Sequence, residues 1–183
     1  MSLERDELVL LVDSTDVVVG VAPKLDVHRD GQLHRAVSVM LFDDGGWALL
    51  QRRANDKYHS PGLWSNTCCG HPRPGESIED AGRRRLSDEL GIRVSRLDHV
   101  GEFLYFADLG AGLVEHELDH VLVGRWVGTF EPNPEEVSET RWIQPAELGT
   151  ELARSPEAYT AWTARVVELA VKAREVDGLT AIG

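Results

Sequence analysis

Residues 66–92 constrain the fold more than any other part of this chain, because they join a loop rich in glycine and proline to a strongly marked helix. A capping-box pattern begins at Ser77, and Gly91 is placed where a helix can end, so a helix is predicted over 77–90. The preceding segment, 58–75, contains three prolines and three glycines. Irregular loops of that length in compact domains usually have a function, so we expect a site where loop and helix meet.

Short apolar runs separated by turn residues predict two N-terminal hairpins, and the polar segment between them is expected to be a loop. The hairpins are 7–12 with 17–21 and 36–42 with 47–51, and the loop is 24–34. Further strands are predicted at 100–106, 115–127 and 139–143, and proline-initiated helices at 145–152 and 156–176. The irregular alternation favours an α/β fold, with a mixed sheet between helices. We expect one domain over 1–183, with a loose tail after 177.

Charge and cysteine usage limit the classes of partner. The net charge of −12 argues against nucleic acid as a partner of the whole surface, so anion-binding residues must be gathered locally. The two cysteines, Cys68 and Cys69, are adjacent and cannot form a secreted disulfide framework. No apolar run approaches the ~18 residues of a membrane span. We expect a monomeric cytoplasmic protein that binds neither nucleic acid nor membrane.

Two glutamates and three histidines form a candidate metal-ligand set. Glu115 and Glu117 are two residues apart in a predicted strand, so their carboxylates leave the same face. With His28, His34 and His71 they offer nitrogen and oxygen ligands for one divalent cation. The alternatives are a solvated edge strand and ordinary surface or core histidines.

The triplet Cys69-Gly70-His71 places a thiol beside an imidazole, which can make a cysteine reactive, although a packed cysteine is the alternative. For Cys68, core packing is favoured. Trp162 fits a core position, or an indole that faces a site and stabilises a transient cation. We interpret the remaining tryptophans as packing residues and the remaining histidines as surface or structural residues: Trp47, Trp64, Trp126 and Trp142, and His59, His99, His116 and His120.

Arg85 and Glu89 lie four residues apart on the predicted helix and share a face. The simple account is a surface ion pair worth a few tenths of a kcal/mol. The functional account is that Glu89 binds a metal while Arg85 grips a diphosphate together with Lys24, Arg53 and Lys57.

The helix segment resembles the Nudix signature. The matching positions are Gly70, Glu76, Arg84, Leu86, Glu89, Gly91 and Ile92. Arg85 and Asp88 stand where the signature has glutamates. Since the acids of Nudix pyrophosphohydrolases assemble the catalytic metals, a basic residue at position 85 weighs against hydrolysis.

In these departures the chain resembles the type 1 isopentenyl-diphosphate isomerases, an offshoot of the Nudix fold. Two further stretches carry the resemblance, Asn66-Thr67-Cys68-Cys69-Gly70-His71-Pro72 and Glu115-His116-Glu117. The resemblance implies interconversion of isopentenyl and dimethylallyl diphosphates without a flavin. It implies a zinc, manganese or magnesium ion held by His28, His34, His71, Glu115 and Glu117, and proton transfer by Cys69 and by Glu117 assisted by Tyr105. It further implies a substrate-borne magnesium at Glu89, diphosphate contacts from Lys24, Arg53, Lys57 and Arg85, and Trp162 over the hydrocarbon. A Nudix pyrophosphohydrolase and a metal-stabilised binding module are the alternatives.

Overall fold

The computed structural model describes residues 7–57 and 59–176, which fold around one mixed β-sheet. The strands are β1 (Leu8–Val12), β2 (Val18–Pro23), β3 (His34–Phe42), β4 (Ala48–Arg53), β5 (Trp64–Ser65), β6 (Cys68–Gly70), β7 (Asp98–Gly110), β8 (Leu113–Arg125) and β9 (Val137–Ile143). The helices are α1 (Lys24–Asp30), α2 (Ile78–Leu90), α3 (Pro145–Arg154) and α4 (Thr163–Val176). The predicted mixed α/β class is confirmed. The expected loose tail after 177 lies outside the described residues.

Strand β3 is the centre of the sheet. It pairs antiparallel with β1, β4 and β6, and parallel with β8, which continues into an antiparallel ladder with β7. The parallel register sets His34 opposite Glu117. Strand β4 pairs antiparallel with both β5 and β9, which lie along its two opposite edges. Two predicted ligand positions that lie far apart in the sequence thus become neighbours through backbone pairing.

Helices cover both faces of the sheet, as predicted. Alternate side chains of β3 point to opposite faces, because the side-chain period of a strand is two. Val39 and Leu41 join the core cluster that includes Leu86 of α2. Met40 and Phe42 join the other cluster, which includes residues of α3 and α4. Among the described residues, none of the helices combines the length and apolar character needed to cross a bilayer.

Helix α2 has the ends that its sequence predicts. The Ser77 hydroxyl accepts a hydrogen bond from the Asp80 amide at 3.1 Å, which satisfies a backbone donor that the first turn leaves free. Gly91 ends the helix in the left-handed conformation at φ 66°. Both caps fix where the helix starts and stops, so the charged residues between them have a defined angular position.

The prediction of a loop at 24–34 was wrong, because Lys24–Asp30 forms α1 and Gly31 ends it at φ 65°. Lys24, Val27 and His28 are its buried residues. This spacing of three and four is helical, but only one of the three side chains is apolar, so the pattern is easily mistaken for a polar loop. As a result, His28 projects from a helix.

Two other predictions need correction. The loop 58–75 is not irregular throughout, because it contains the short strands β5 and β6. The helix predicted over 156–176 begins only at Thr163, after a single 3-10 turn at Pro156–Ala158. The chain leaves the helical path at Tyr159 because the next amide, that of Thr160, donates to Trp64 O at 2.9 Å. The other predicted strands and the first proline-initiated helix overlap β7, β8, β9 and α3.

Candidate active site

The described residues enclose a narrow pocket on the α4 side of the sheet, at the end of β3 where His34 lies. Its lining includes the predicted residues Lys24, Arg53, Lys57, Cys69, His71, Arg85, Tyr105, Glu115, Glu117 and Trp162. His28, His34 and Glu89 lie outside this lining. They are buried next to it, where both histidine rings lie within 6 Å of the His71 ring and Glu89 pairs with Arg85.

Three imidazoles and one carboxylate converge at the base of the pocket. His28, His34, His71 and Glu117 each offer a ligand atom, and these atoms lie within 4.8 Å of one another. Oε1 of Glu117 is 3.0 Å from His71 Nε2 and 3.3 Å from His34 Nε2. Nitrogen and oxygen donors in this number suit a divalent cation.

The chemistry of the imidazoles fits a metal. Nδ1 of His28 lies 2.7 Å from Lys24 O, and Nδ1 of His34 lies 2.9 Å from Gln32 O. A carbonyl only accepts, so both rings carry their proton on Nδ1, and each Nε2 lone pair faces the cluster. Burial lowers the pKa of His28 to about 3 and that of His71 to about 4, which keeps both rings neutral and able to coordinate.

Glu115 lies beside this cluster with a different neighbour. Its Oε1 is 3.5 Å from Nδ1 of His59, and it groups with His28 and His59 as a second candidate ligand set. Of the two interpretations of His59, as a surface or as a structural residue, the first was wrong, because His59 is buried in the pocket wall. Burial, followed by the charge of Arg53, lowers its pKa to about 2. Nothing in the residues around it distinguishes it from an ordinary loop histidine.

Tyr105 joins the two glutamates. It stands directly opposite Glu117 in the β7–β8 ladder, donates its hydroxyl to Glu117, and lies 3.1 Å from Glu115 Oε2. Burial acts to raise the pKa of Glu117, but the neighbouring imidazole rings of His34 and His71 outweigh it and leave that pKa well below its usual range. Burial and the charge of Glu117 raise the pKa of Glu115. Glu117 thus favours its ionised form and Glu115 its protonated form. The three side chains can therefore hold one proton or move it between the two carboxyl groups.

The two cysteines have different surroundings, because adjacent residues of β6 face opposite sides of the sheet. Cys68 is fully buried in the core that packs against α2, whereas Cys69 lines the pocket. Burial, followed by the charge of Glu89, raises the pKa of Cys69 to about 12. The Cys69 thiol thus carries its proton at neutral pH. It faces the same pocket as Glu117 and Tyr105.

Trp162 forms one wall of the pocket and is 3% exposed. Its Nε1 donates to Asn66 Oδ1 at 3.1 Å, which fixes the ring plane, and its ring centroid lies 6.3 Å from that of Tyr105. An indole held in this way presents a polarisable face to whatever fills the pocket.

Four cationic side chains line the pocket, three of them held by carboxylates and one by a backbone carbonyl. Lys57 Nζ lies 2.8 Å from Glu136 Oε2, and the same oxygen lies 3.3 Å from Arg85 Nη2. Arg85 Nη2 is also 2.7 Å from Glu89 Oε1. Lys24 pairs with Glu7 at 3.3 Å, and Arg53 donates to the His59 carbonyl. Glu136 was not among the predicted site residues, because nothing in its acidic, proline-containing segment points to a pocket.

The fold and the matched family model define the class of protein. The family model described as the NUDIX domain matches residues 32–167, most of the chain. The crystal structure of DR0079 from Deinococcus radiodurans superposes with a TM-score of 0.73 at 24% identity, covering 88% of this chain and 98% of that one. A structural likeness at this identity shows the shared fold alone.

Curated relatives narrow the class. An isopentenyl-diphosphate Delta-isomerase of Nocardia farcinica is 52% identical over 162 residues, covering 87% of this chain and 92% of that protein. Isopentenyl-diphosphate Delta-isomerase 2 of Aromatoleum aromaticum is 43% identical over 94% of this chain and 91% of its own length. The chain belongs to the isopentenyl-diphosphate Delta-isomerase family of Nudix-domain proteins.

Proposed function

We propose that this protein interconverts isopentenyl diphosphate and dimethylallyl diphosphate through a tertiary carbocation. One observation carries the proposal beyond family membership: a protonated thiol, Cys69, and the carboxyl–phenol pair of Glu117 and Tyr105 line one pocket. A reaction that adds one proton and removes another needs two such groups.

The proton balance of the reaction explains the pair. One group delivers a proton to the terminal alkene carbon of isopentenyl diphosphate, which leaves a tertiary cation at the branched carbon. The other group takes a proton from the adjacent methylene carbon, and the electron pair of that C–H bond forms the new double bond. In the reverse direction the two groups exchange roles. Cys69 and Glu117, with Tyr105 as its relay, are the groups we assign.

The cation must meet no water during its lifetime. The pocket is narrow and buried, and the Trp162 indole forms part of its wall. A polarisable aromatic face stabilises a cation electrostatically without adding to it, so it suits a carbocation better than a nucleophilic side chain would.

The diphosphate lies, in our proposal, at the cationic side of the pocket. Lys24, Arg53, Lys57 and Arg85 supply point charges and planar guanidinium groups, which are the groups that recognise phosphates. Glu89 lies 2.7 Å from Arg85 and is the carboxylate we assign to the magnesium that accompanies the diphosphate. These contacts anchor the substrate away from its reacting carbons.

His28, His34, His71, Glu115 and Glu117 would hold a resident zinc, manganese or magnesium ion. Such an ion supplies a fixed positive charge that orients Glu117 and biases its ionisation. No electron transfer occurs in the reaction, so we propose no flavin. The monomeric state and the cytoplasmic location stay predictions.

A Nudix-type pyrophosphohydrolase is the second candidate function, because the NUDIX domain by itself does not separate it from an isomerase, but the curated relatives do not favour it. The experiment that separates the two is incubation with isopentenyl diphosphate and magnesium, followed by proton NMR and phosphate release in one sample. We expect dimethylallyl signals without phosphate. Release of phosphate or pyrophosphate without isomerisation would overturn the proposal in favour of hydrolysis.

A further inference from the structure

A second group of metal-ligating side chains lies on the face of the β7–β8 hairpin opposite to the pocket. Nε2 of His99 is 3.1 Å from Nδ1 of His120 and 3.6 Å from Oε2 of Glu102. The three side chains offer ligand atoms within 4.8 Å of one another. His120 is 6% exposed, whereas the side chain of His99 is 36% exposed, so the group opens to solvent on one side.

A β-bulge brings the three side chains together. His99 and Glu102 are three residues apart and would face opposite sides of a regular strand. The register shifts between His99 and Gly101, so that His99 pairs with Leu122 while Glu102 pairs with His120. Directly paired residues share a face, and the extra residue therefore turns His99 to the side of His120. A bulge that re-aims a side chain in this way is frequent at functional sites.

A carboxylate outside the group orients the buried imidazole. Oδ2 of Asp16 lies 3.2 Å from Nε2 of His120, and Arg35 holds Asp16 through hydrogen bonds to its side chain and its carbonyl. Because a carboxylate accepts, the proton of His120 is on Nε2 and its Nδ1 lone pair faces His99. Burial lowers the pKa of His120, although Asp16 opposes this, and the lowered pKa favours the neutral ligand form. The carboxylate–histidine arrangement is the one that supports metal-bound histidines.

We propose that His99, Glu102 and His120 form a second divalent-metal site, suited to zinc, that is separate from the active-site cluster. Two nitrogens bound to one zinc at about 2.0–2.1 Å in tetrahedral geometry lie about 3.3 Å apart, close to the separation seen between the two rings. Two nitrogens and one carboxylate leave the fourth position to water, which the exposed side supplies. The ion would link the bulged part of β7 to β8 through ligands from both strands.

The test is a count of bound Zn²⁺. Chelator-stripped protein is titrated with Zn²⁺ in competition with a chromophoric chelator, and wild type is compared with His99→Gln. We expect wild type to bind one ion per chain more than His99→Gln. Isomerase activity should be the same in both, since His99 lies outside the pocket lining. Equal stoichiometry in the two proteins would overturn the proposal.

Two further variants make the test specific. His116→Gln alters another histidine of β8, whose Nδ1 lies 3.0 Å from Gly31 O, and should keep the wild-type stoichiometry. Asp16→Asn should keep the number of sites but weaken the second one by roughly 10- to 100-fold, as loss of a supporting carboxylate does elsewhere. Zn²⁺ should also shift the imidazole NMR signals of His99 and His120. An unshifted pair of signals at saturating Zn²⁺ would contradict the assignment.

Discussion

Arg85 and Glu89 lie one turn apart on α2, with 2.7 Å between Nη2 and Oε1, and a second hydrogen bond runs from Arg85 Nε at 3.0 Å. Gln51 donates to the other oxygen of Glu89 at 2.5 Å. The charges of Glu89 and Glu136 outweigh the opposing effect of burial and raise the pKa of Arg85. A helix that supplies acids for metal binding in Nudix hydrolases therefore presents a permanent positive charge here.

Arg85→Gln should raise KM for isopentenyl diphosphate by roughly 10- to 100-fold, because hydrogen bonds to charged groups contribute about 1.5–3 kcal/mol. The free energy of unfolding should also fall by about 3 kcal/mol, since buried Glu89 loses its charge partner. Steady-state kinetics and denaturant unfolding measure the two effects. Arg83→Gln is the matched control, because Arg83 pairs with Asp80 outside the pocket lining. A similar rise in KM for both variants would contradict a diphosphate role for Arg85.

Cys69→Ala and Cys68→Ala should separate chemistry from packing. Loss of the pocket thiol should lower kcat by about 10²- to 10⁴-fold, the usual contribution of a general acid or base, with little change in unfolding. Cys68→Ala should retain activity, but its free energy of unfolding should fall by about 1 kcal/mol because a fully buried sulfur is lost from the core. Equal activity of the two variants would remove Cys69 from the mechanism.

Tyr105→Phe removes only the hydroxyl that joins Glu117 and Glu115. We expect kcat to fall by roughly 10- to 100-fold while the far-UV circular dichroism stays unchanged, because the proton relay is broken and the ring still packs. Tyr159→Phe is the control, since that hydroxyl bonds Glu151 and Arg141. It should keep kcat and lose about 1 kcal/mol of unfolding free energy. A loss of kcat in Tyr159→Phe but not in Tyr105→Phe would show that the assignment of the catalytic hydroxyl to Tyr105 is wrong.

Glu76→Gln should make stability depend less on pH. Burial acts to raise the pKa of Glu76, but hydrogen bonds from Arg84 and the Arg73 amide outweigh it, so the folded-state pKa is lowered. Such a group stabilises the fold above its unfolded pKa of about 4.3 and loses that contribution as pH falls through the folded pKa.

Urea unfolding should therefore show wild type more stable than Glu76→Gln by on the order of 1 kcal/mol at pH 6 to 7. The gap should shrink below about pH 4.3. A gap that is constant from pH 7 to pH 3 would show that the side chain contributes shape and not charge.

Local signals in the sequence were enough where a few adjacent residues determine the outcome. Ser77 and Gly91 define α2 through caps that depend on one turn of chain. The side-chain period of two sufficed to place Glu115 and Glu117 on one face, whereas the position of Tyr105 opposite Glu117 follows from the β7–β8 pairing. Helix α1 was missed because it is short and buries a lysine and a histidine, which gives no apolar stripe.

Contacts between distant segments could not be read from local pattern. Glu136 reaches Lys57 and Arg85 from a segment that the β4–β9 pairing and a hydrogen bond from the Asn133 amide to Glu89 O bring near. The start of α4 depends on a hydrogen bond from Thr160 to Trp64, about a hundred residues earlier, which competes with helix formation after Pro156. In both cases the determining partner lies in a distant segment, so the local sequence pattern cannot reveal it.

The parallel ladder between β3 and β8 has a consequence for how this sequence can change. A slip of one residue in β8 would swing Glu115 and Glu117 to the side of α2 and bring His116 and His120 into the pocket, with the ladder still formed. Insertions or deletions within β8 would thus remove Glu115 and Glu117 from the pocket, and they would also move core residues of β8 to the wrong face of the sheet. Insertions or deletions in this hairpin should instead be tolerated in the turn at 111–112, because a change of length there leaves the register of β8 against β3 unchanged.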